Sequence, residues 1–412
     1  VSAREASNED KTWQAGGRRS CTPAQTWARL SPLLPILGIS RVANITGLDC
    51  IGIPVFTACR PNSRSLSVFQ GKGIDVEAAR VSAVMEAYET WCAERIDLPL
   101  RLGSIDELVH THPLIDLARL PLMVPEGVDP ALPFLWIEGR DMLSGTPKWL
   151  PFEMVHANYA LPEPPHSGGF SATTNGLASG NTRGEAVLHA LMEVIERDAV
   201  TLWKLGAAAW GGDTALRLET VTDPACRAVL AMFARAGIEV AVWDVRSDIG
   251  APCFLCLIAE PGGETGTAEF GAGAHPAPEV ALMRALTEAA QARTTFIAGA
   301  REDIPDADYA VEALAERRDR AAGLMAGLTP GRDFADIPSM ETDSFDGDIA
   351  ATLAALRAVG IEEVVAVDIG NPNLPFAVVR IVVPGLEAAL EGPATAYVPG
   401  MRAAAVLTQA PA

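Results

Sequence analysis

Two periods of apolar spacing run along this chain. From about Val76 to Arg95, from 184 to 204 and from 278 to 299, apolar residues recur every three or four positions, which predicts three long helices. Shorter helices are expected near 223–236 and 346–358. Runs rich in Val, Ile, Leu and Phe predict strands at 51–60, 65–70, 238–243, 253–259, 363–367 and 375–383. Phe134–Glu138 and Trp149–His156 are weaker strand candidates inside a Pro-rich stretch, 96–170. Gly-rich segments at 167–184 and 262–276 read as loops leading into the second and third long helices. Residues 301–345 are charged and mixed. The polar residues 1–20 predict a mobile tail, order is expected to begin near Thr22–Leu37, and the residues from Val398 onward read as a second tail.

Helices alternating with strands argue for a layered α/β (α+β) core. Internal repetition sharpens this. The three long helices carry Ala83-Val-Met-Glu86-Ala-Tyr-Glu89, Ala190-Leu-Met-Glu193-Val-Ile-Glu196 and Ala285-Leu-Thr-Glu288-Ala-Ala-Gln291, each after a glycine-containing loop. A second echo pairs Ala236-Gly-Ile-Glu-Val-Ala-Val-Trp-Asp244 with Val359-Gly-Ile-Glu-Glu-Val-Val-Ala-Val-Asp368, both helix ends stopped by glycine and followed by a strand. The chain thus repeats helix–strand units.

On a helix, residues i and i+3 share a face. Glu86 and Glu89 therefore project together, with Ser82 one turn earlier; Glu193 and Glu196 do the same, with His189 one turn earlier. Such a stripe faces water or is compensated by cations. A solvated face is the ordinary reading of one copy; two copies in matching apolar contexts favour two facing helices that hold hard cations such as magnesium. Thr182 and Glu185 fit a helix capping box, and a ligand role for Glu185 competes with that reading. Lys72 stands between Gly71 and Gly73 ahead of a helix, a place that favours an anion, although the spacing is not that of a P-loop. Arg197 and Arg284 lie beside the carboxylates, within reach of phosphates or of surface salt bridges. Cys253 and Cys256 sit in a strand, where i and i+3 face opposite ways, so they read as core residues rather than zinc ligands.

Composition narrows the choices. The 412 residues carry a net charge of −20, which excludes a general electrostatic grip on nucleic acid. Seven scattered cysteines do not make a disulfide framework and point to a reducing cytoplasm. No apolar run approaches the ~18–20 residues that span a bilayer.

The segment Asn175-Gly-Leu-Ala-Ser-Gly-Asn-Thr-Arg-Gly-Glu185-Ala, followed by Met192-Glu-Val-Ile-Glu-Arg-Asp198, closely resembles the central signature of the YcaO superfamily. Gly71-Lys-Gly with Ser82, Glu86 and Glu89 resembles its N-terminal motif, and Glu288-x-x-Gln291 its third. Residues 38–55 resemble the YcaO type that acts with a TfuA-like partner. The resemblance implies an ATP-binding fold without a P-loop over 41–400, with 1–40 a partly flexible extension and 401–412 a tail. It implies that Glu86, Glu89, Glu193 and Glu196 bind Mg2+. Lys72, Ser82, Asn181, Glu185, Arg197, Arg284, Glu288 and Gln291 would line the ATP site, with Glu193, Glu196 and Arg197 catalytic.

The implied chemistry is ATP-dependent activation of an amide in a ribosomal precursor peptide, helped by a TfuA-like or separate recognition protein and by a possible homodimer. Azoline-forming members end in a Pro-x-Pro-x-Pro tail; this chain ends Thr408-Gln-Ala-Pro411-Ala412, which favours a thioamide product over an azoline. A nucleotide-free metal hydrolase and a non-catalytic binding protein are the alternatives of other classes.

Overall fold

The computed structural model describes residues 10–13, 16–123, 126–206, 214–261, 268–390 and 397–409. Helix α1 (Pro23–Leu30) opens on a capping box in which Thr22 and Gln25 satisfy each other's backbone donors. Strands β1 (Arg41–Asn44), β2 (Val55–Cys59) and β3 (Val68–Lys72) form an antiparallel sheet in that order, and α2 (Val76–Ala93) packs on it. Next come β4 (Leu100–Gly103), the single turn α3 (Ile105–Leu108), β5 (Phe134–Asp141), β6 (Pro147–Pro151), β7 (Leu177–Gly180) and α4 (Arg183–Leu205). Helix α5 (Pro224–Arg235) leads into β8 (Glu239–Asp244), β9 (Cys253–Ala259), β10 (Ala268–Ala274) and α6 (Pro278–Ala298). The chain closes with α7 (Val311–Ala326), α8 (Phe345–Ala358), β11 (Val365–Asp368), β12 (Ala377–Val382) and α9 (Met401–Gln409). Strands β8, β9 and β10 make a second three-stranded sheet, and a six-stranded sheet runs β4-β5-β11-β12-β7 with β6 beside β5.

The three repeated helices each lie on one sheet and touch the next. Helix α2 covers β2 and β3 and reaches β7; α4 covers β7 and β12 and reaches β10; α6 covers β9 and β10 and reaches β3. The order closes on itself, so three helix–sheet units form a ring. Strand glycines set how closely the helices approach. A Cβ on Gly71 would fall 1.9 Å from the Ala83 nitrogen under α2, and one on Gly273 would fall 2.2 Å from the Ala281 oxygen under α6. Small residues face these glycines from the helices, so backbone meets backbone.

The cores follow from strand alternation. On β9, Cys253, Leu255 and Leu257 join the cluster around α4, whereas Phe254, Cys256 and Ile258 join the one around α5 and α6. Both cysteines are fully buried, on opposite faces. On β12, Val379 and Ile381 face α4 and Val378 and Val382 face the cluster around α2.

Four sequence expectations differ from this fold. Residues 10–13 and 16–20 are tied down rather than loose: Lys11 reaches Asp348 at 2.6 Å, Arg18 reaches Glu279 and Glu341 at 2.6 Å each, and Arg19 reaches Glu185 at 2.9 Å. Charged partners more than 160 residues away hold them. Residues 401–409 form α9 against α4, with Arg402 on the buried Asp198 at 3.0 Å. Both Gly-rich segments contain strands, β7 in the first and β10 in the second, and the strand glycines serve helix packing. Trp149–His156 divides into the end of β6 and a single 3₁₀ turn, Phe152–Met154. The remaining expected helices and strands appear, the strand at 253–259 with its expected bounds and the others with one or both ends shifted.

Candidate active site

The carboxylates converge from all three repeated helices. Each helix starts directly after its strand: Asp75 caps α2 by accepting from the Ala78 N–H, Thr182 caps α4 by accepting from the Glu185 N–H, and Pro278 opens α6. Starting alike, they present matching positions to a common centre. Glu86, Glu193 and Glu288 form one level, Glu89, Glu196 and Gln291 the next, and Ser82, His189 and Arg284 stand four residues ahead of the first level. All nine line a single cavity of ≈ 640 Å3, together with Lys72, Asn181, Glu185 and Arg197. Every sequence-predicted site residue is therefore found in one place.

Each helix reaches the neighbouring unit through a polar side chain at this centre. Ser179 of β7 donates to the Met85 carbonyl of α2 at 3.4 Å and lowers the cost of charge on Glu89. Glu196 of α4 accepts from the Ala274 N–H of β10 at 2.8 Å. Glu288 of α6 takes the ammonium of Lys72, on β3, at 2.7 Å.

The electrostatics are uneven. Burial pushes the Glu86 carboxyl up to about 7, with Arg301 and Lys72 opposing. Burial, then the neighbouring Glu193 and Glu86, raises Glu89 well above the usual carboxylate range. Glu193 and Glu196 are raised by burial too, with Arg197 and Arg284 opposing in both. Glu288 goes the other way. Its burial is outweighed by Lys72, Arg197 and Arg284, and its carboxyl falls to about 2. Burial thus outweighs the neighbouring cations on the side formed by α2 and α4, whereas the cations outweigh burial at Glu288 on α6.

Among the described residues, no three acidic, His or Cys side chains are drawn together as a ready-made metal cluster. The donor chemistry nevertheless fits a hard cation. Glu86, Glu89, Glu193 and Glu196 offer only oxygen, and burial disfavours the charged form of each, the condition a divalent cation relieves.

The position of Lys72 departs from expectation. It is the last residue of β3 and points to Glu288, rather than sitting in a glycine turn that cradles an anion through backbone N–H groups. Only half of the predicted capping box forms. The Thr182 oxygen accepts from the Glu185 N–H, but the Glu185 carboxylate turns to Arg19 at 2.9 Å and the Ser20 hydroxyl at 2.8 Å, with the Asn181 amide at 3.5 Å.

Sequence reasoning missed several lining residues. Arg18 and Arg19 lay in a segment read as a tail. Glu269, Phe296, Arg301 and Arg317 sit at the far end of the cavity, and the stretch 301–345 gives no periodic signal. His189 was noted only for its place ahead of Glu193; it accepts from Arg284 at 3.0 Å.

Comparison with known proteins gives the class first, from the fold. The chain superposes on a YcaO protein from Methanopyrus kandleri bound with AMPPCP and Mg2+, with a TM-score of 0.73 at 24% identity, over 92% of this chain and 95% of that one. It also matches a heterocyclase solved in complex with substrate and cofactor, with a TM-score of 0.74 at 21% identity, over 93% of this chain but 54% of that larger one. The family model described as YcaO cyclodehydratase, ATP- and Mg2+-binding, matches residues 70–387. This chain belongs to the YcaO family. A protein encoded in the tfuA 3′ region of Rhizobium leguminosarum bv. trifolii is 38% identical over 91% of this chain and 90% of its own length. A protein of Methanothermobacter thermautotrophicus is 36% identical over 89% of this chain and 94% of its own length.

Proposed function

We propose that this protein activates a backbone amide of a ribosomally made precursor peptide by ATP-dependent O-phosphorylation and, with a sulfur donor, converts it to a thioamide. One observation carries the reading: a single cavity gathers five glutamates with Lys72, Arg197 and Arg284 from three copies of one helix motif. An acidic wall facing a neutralised one suits a metal-bound polyphosphate.

In this reading Glu86, Glu89, Glu193 and Glu196 hold Mg2+, which supplies charge neutralisation for phosphoryl transfer. Lys72, Ser82, Asn181, Glu185, Arg284, Glu288 and Gln291 hold and orient the nucleotide. Lys72 exchanges its bond to Glu288 for a phosphate oxygen, and Arg197 faces the charge that develops on the transferred group. Hydrosulfide, or its equivalent from the donor, adds to the amide carbon, the resulting oxyanion takes the γ-phosphoryl group and releases ADP, and the C–O bond then breaks to release phosphate as the S–H proton is lost to solvent and C=S forms. An amide oxygen leaves poorly, and its phosphorylation makes departure fast.

The relative encoded beside tfuA supports the sulfur-inserting branch and a TfuA-like partner. Azoline formation is the second reading, favoured by the fold shared with a heterocyclase. Mass spectrometry of the treated peptide separates the two: exchange of oxygen for sulfur makes it heavier, loss of water makes it lighter. Calorimetry with AMPPCP and Mg2+ tests the shared premise; absence of binding would sink both readings in favour of a nucleotide-free hydrolase.

A further inference from the structure

The cavity has two unlike ends. At one, residues 16–20 lie across the starts of all three repeated helices. Gly16 packs on Ile74 just before α2, Arg18 bonds Glu279 in the first turn of α6, and Arg19 and Ser20 hold Glu185 in the first turn of α4. From Glu279 to Phe296, α6 runs about 25 Å at ~1.5 Å per residue, and the same cavity follows it to the far end. There Gly299, in the left-handed region at φ 56, stops α6 and turns the chain back across the opening.

This far mouth is built. Phe296 stacks on Tyr309 with ring centroids 4.4 Å apart, and Arg317 lies over the Phe296 ring at 4.8 Å. Arg317 is held by Glu269 at 3.1 Å, and Arg301 donates to Asp303 at 2.8 Å. The buried Phe296 ring thus anchors a mouth lined by two guanidinium–carboxylate pairs, Arg317 with Glu269 and Arg301 with Asp303. A polyanion entering here would meet Glu269 and Asp303. An extended peptide backbone, which offers carbonyl acceptors and N–H donors by turns, fits both sets.

We infer that the mouth at the C-terminal end of α6 receives the acceptor peptide as an extended segment, so that peptide and nucleotide reach the carboxylate ring from opposite ends. The inference rests on the functional reading above, in which Ser82, Asn181 and Glu185 put the nucleotide at the helix starts. That leaves the Phe296–Arg317 mouth as the approach for the group that attacks or accepts at phosphorus.

The test uses the full chain with saturating AMPPCP and Mg2+, and a pool of capped seven-residue peptides bearing one photoreactive diazirine side chain. Adducts are mapped by mass spectrometry. The expected result is labelling concentrated on the segments that contain Phe296–Arg301 and Tyr309–Arg317. Arg301→Glu with Arg317→Glu should lower the yield by roughly fivefold, a small part of the loss seen at binding hot spots. If that pair does not fold by circular dichroism, Arg317→Ala replaces it. Labelling at residues 16–21, evenly spread labelling or none at all overturns the inference. So does capture of 8-azido-ATP at the mouth, which would make it the base pocket. AMPPCP binding is measured on the same sample, so a chain that binds nucleotide but labels elsewhere refutes only this inference, and one that binds none refutes the functional reading.

Discussion

Helices α4 and α6 are copies of one design with different electrostatics. Both follow a short strand, both bring small residues onto it, and both present matching positions to the cavity. On α4, burial raises the carboxyls of Glu193 and Glu196, with Arg197 and Arg284 opposing. On α6, Lys72 and two arginines strip Glu288 of its proton, and Gln291 replaces the second carboxylate. The scaffold thus fixes where side chains meet, and single substitutions within it set the charge that each wall presents. Helix α2 belongs with α4, so two acidic copies face one neutralised copy.

Four experiments press on that contrast. The largest effect is expected from Glu193→Gln and Glu196→Gln. Each should lower ATP turnover by roughly 100- to 1,000-fold, the scale of removing a group that neutralises transition-state charge, while the metal-free variant melts no lower than the parent by calorimetry. Turnover within a few-fold of the parent would end the assignment of α4 as the cation wall. Second, Gly71→Ala and Gly273→Ala should each destabilise by about 3 kcal/mol or more, since an added methyl meets helix backbone that cannot step aside. Chemical denaturation of both checks that α2 and α6 share the scaffold on which the contrast is drawn; a neutral result at one site breaks the equivalence.

Third, Lys72→Met should weaken AMPPCP binding about tenfold, the worth of one charge-assisted hydrogen bond, read by titration calorimetry. The smallest effect concerns pH. The folded protein holds Glu86 at about 7, above its usual 4.5, so its native state binds more protons than the unfolded chain. Stability in chelator should therefore fall as pH rises from about 4.5 through about 7, and excess Mg2+ should flatten that slope. A melting temperature that climbs with pH over this range in chelator would contradict the acidic-wall picture.

Much of this was legible in the sequence because it is local. Apolar spacing marks α2, α4 and α6, and i,i+3 geometry puts Glu86 with Glu89 and Glu193 with Glu196 whatever the tertiary fold. Strand β10 was not legible: Ala268-Glu-Phe-Gly-Ala-Gly-Ala274 has the composition of a loop, and its glycines make sense only once α6 lies on them. The seating of Arg18 and Arg19 was hidden for a different reason. Their partners, Glu279, Glu341 and Glu185, are distant in sequence, and long-range ion pairs leave no periodic trace. The opposite charge state of Glu288 was equally invisible, since it depends on Lys72 arriving from another sheet.

The closure of three helix–sheet units upon one another has a consequence for unfolding. In an open stack of repeats an end unit can fray or be removed while its neighbours persist. Here every unit has two neighbours, because α6 returns to β3. Loss of any one opens the cavity and leaves the buried glutamates of the other two facing water without their partners. The protein should melt in one calorimetric transition, and cutting the chain between units should yield fragments that regain structure only when mixed.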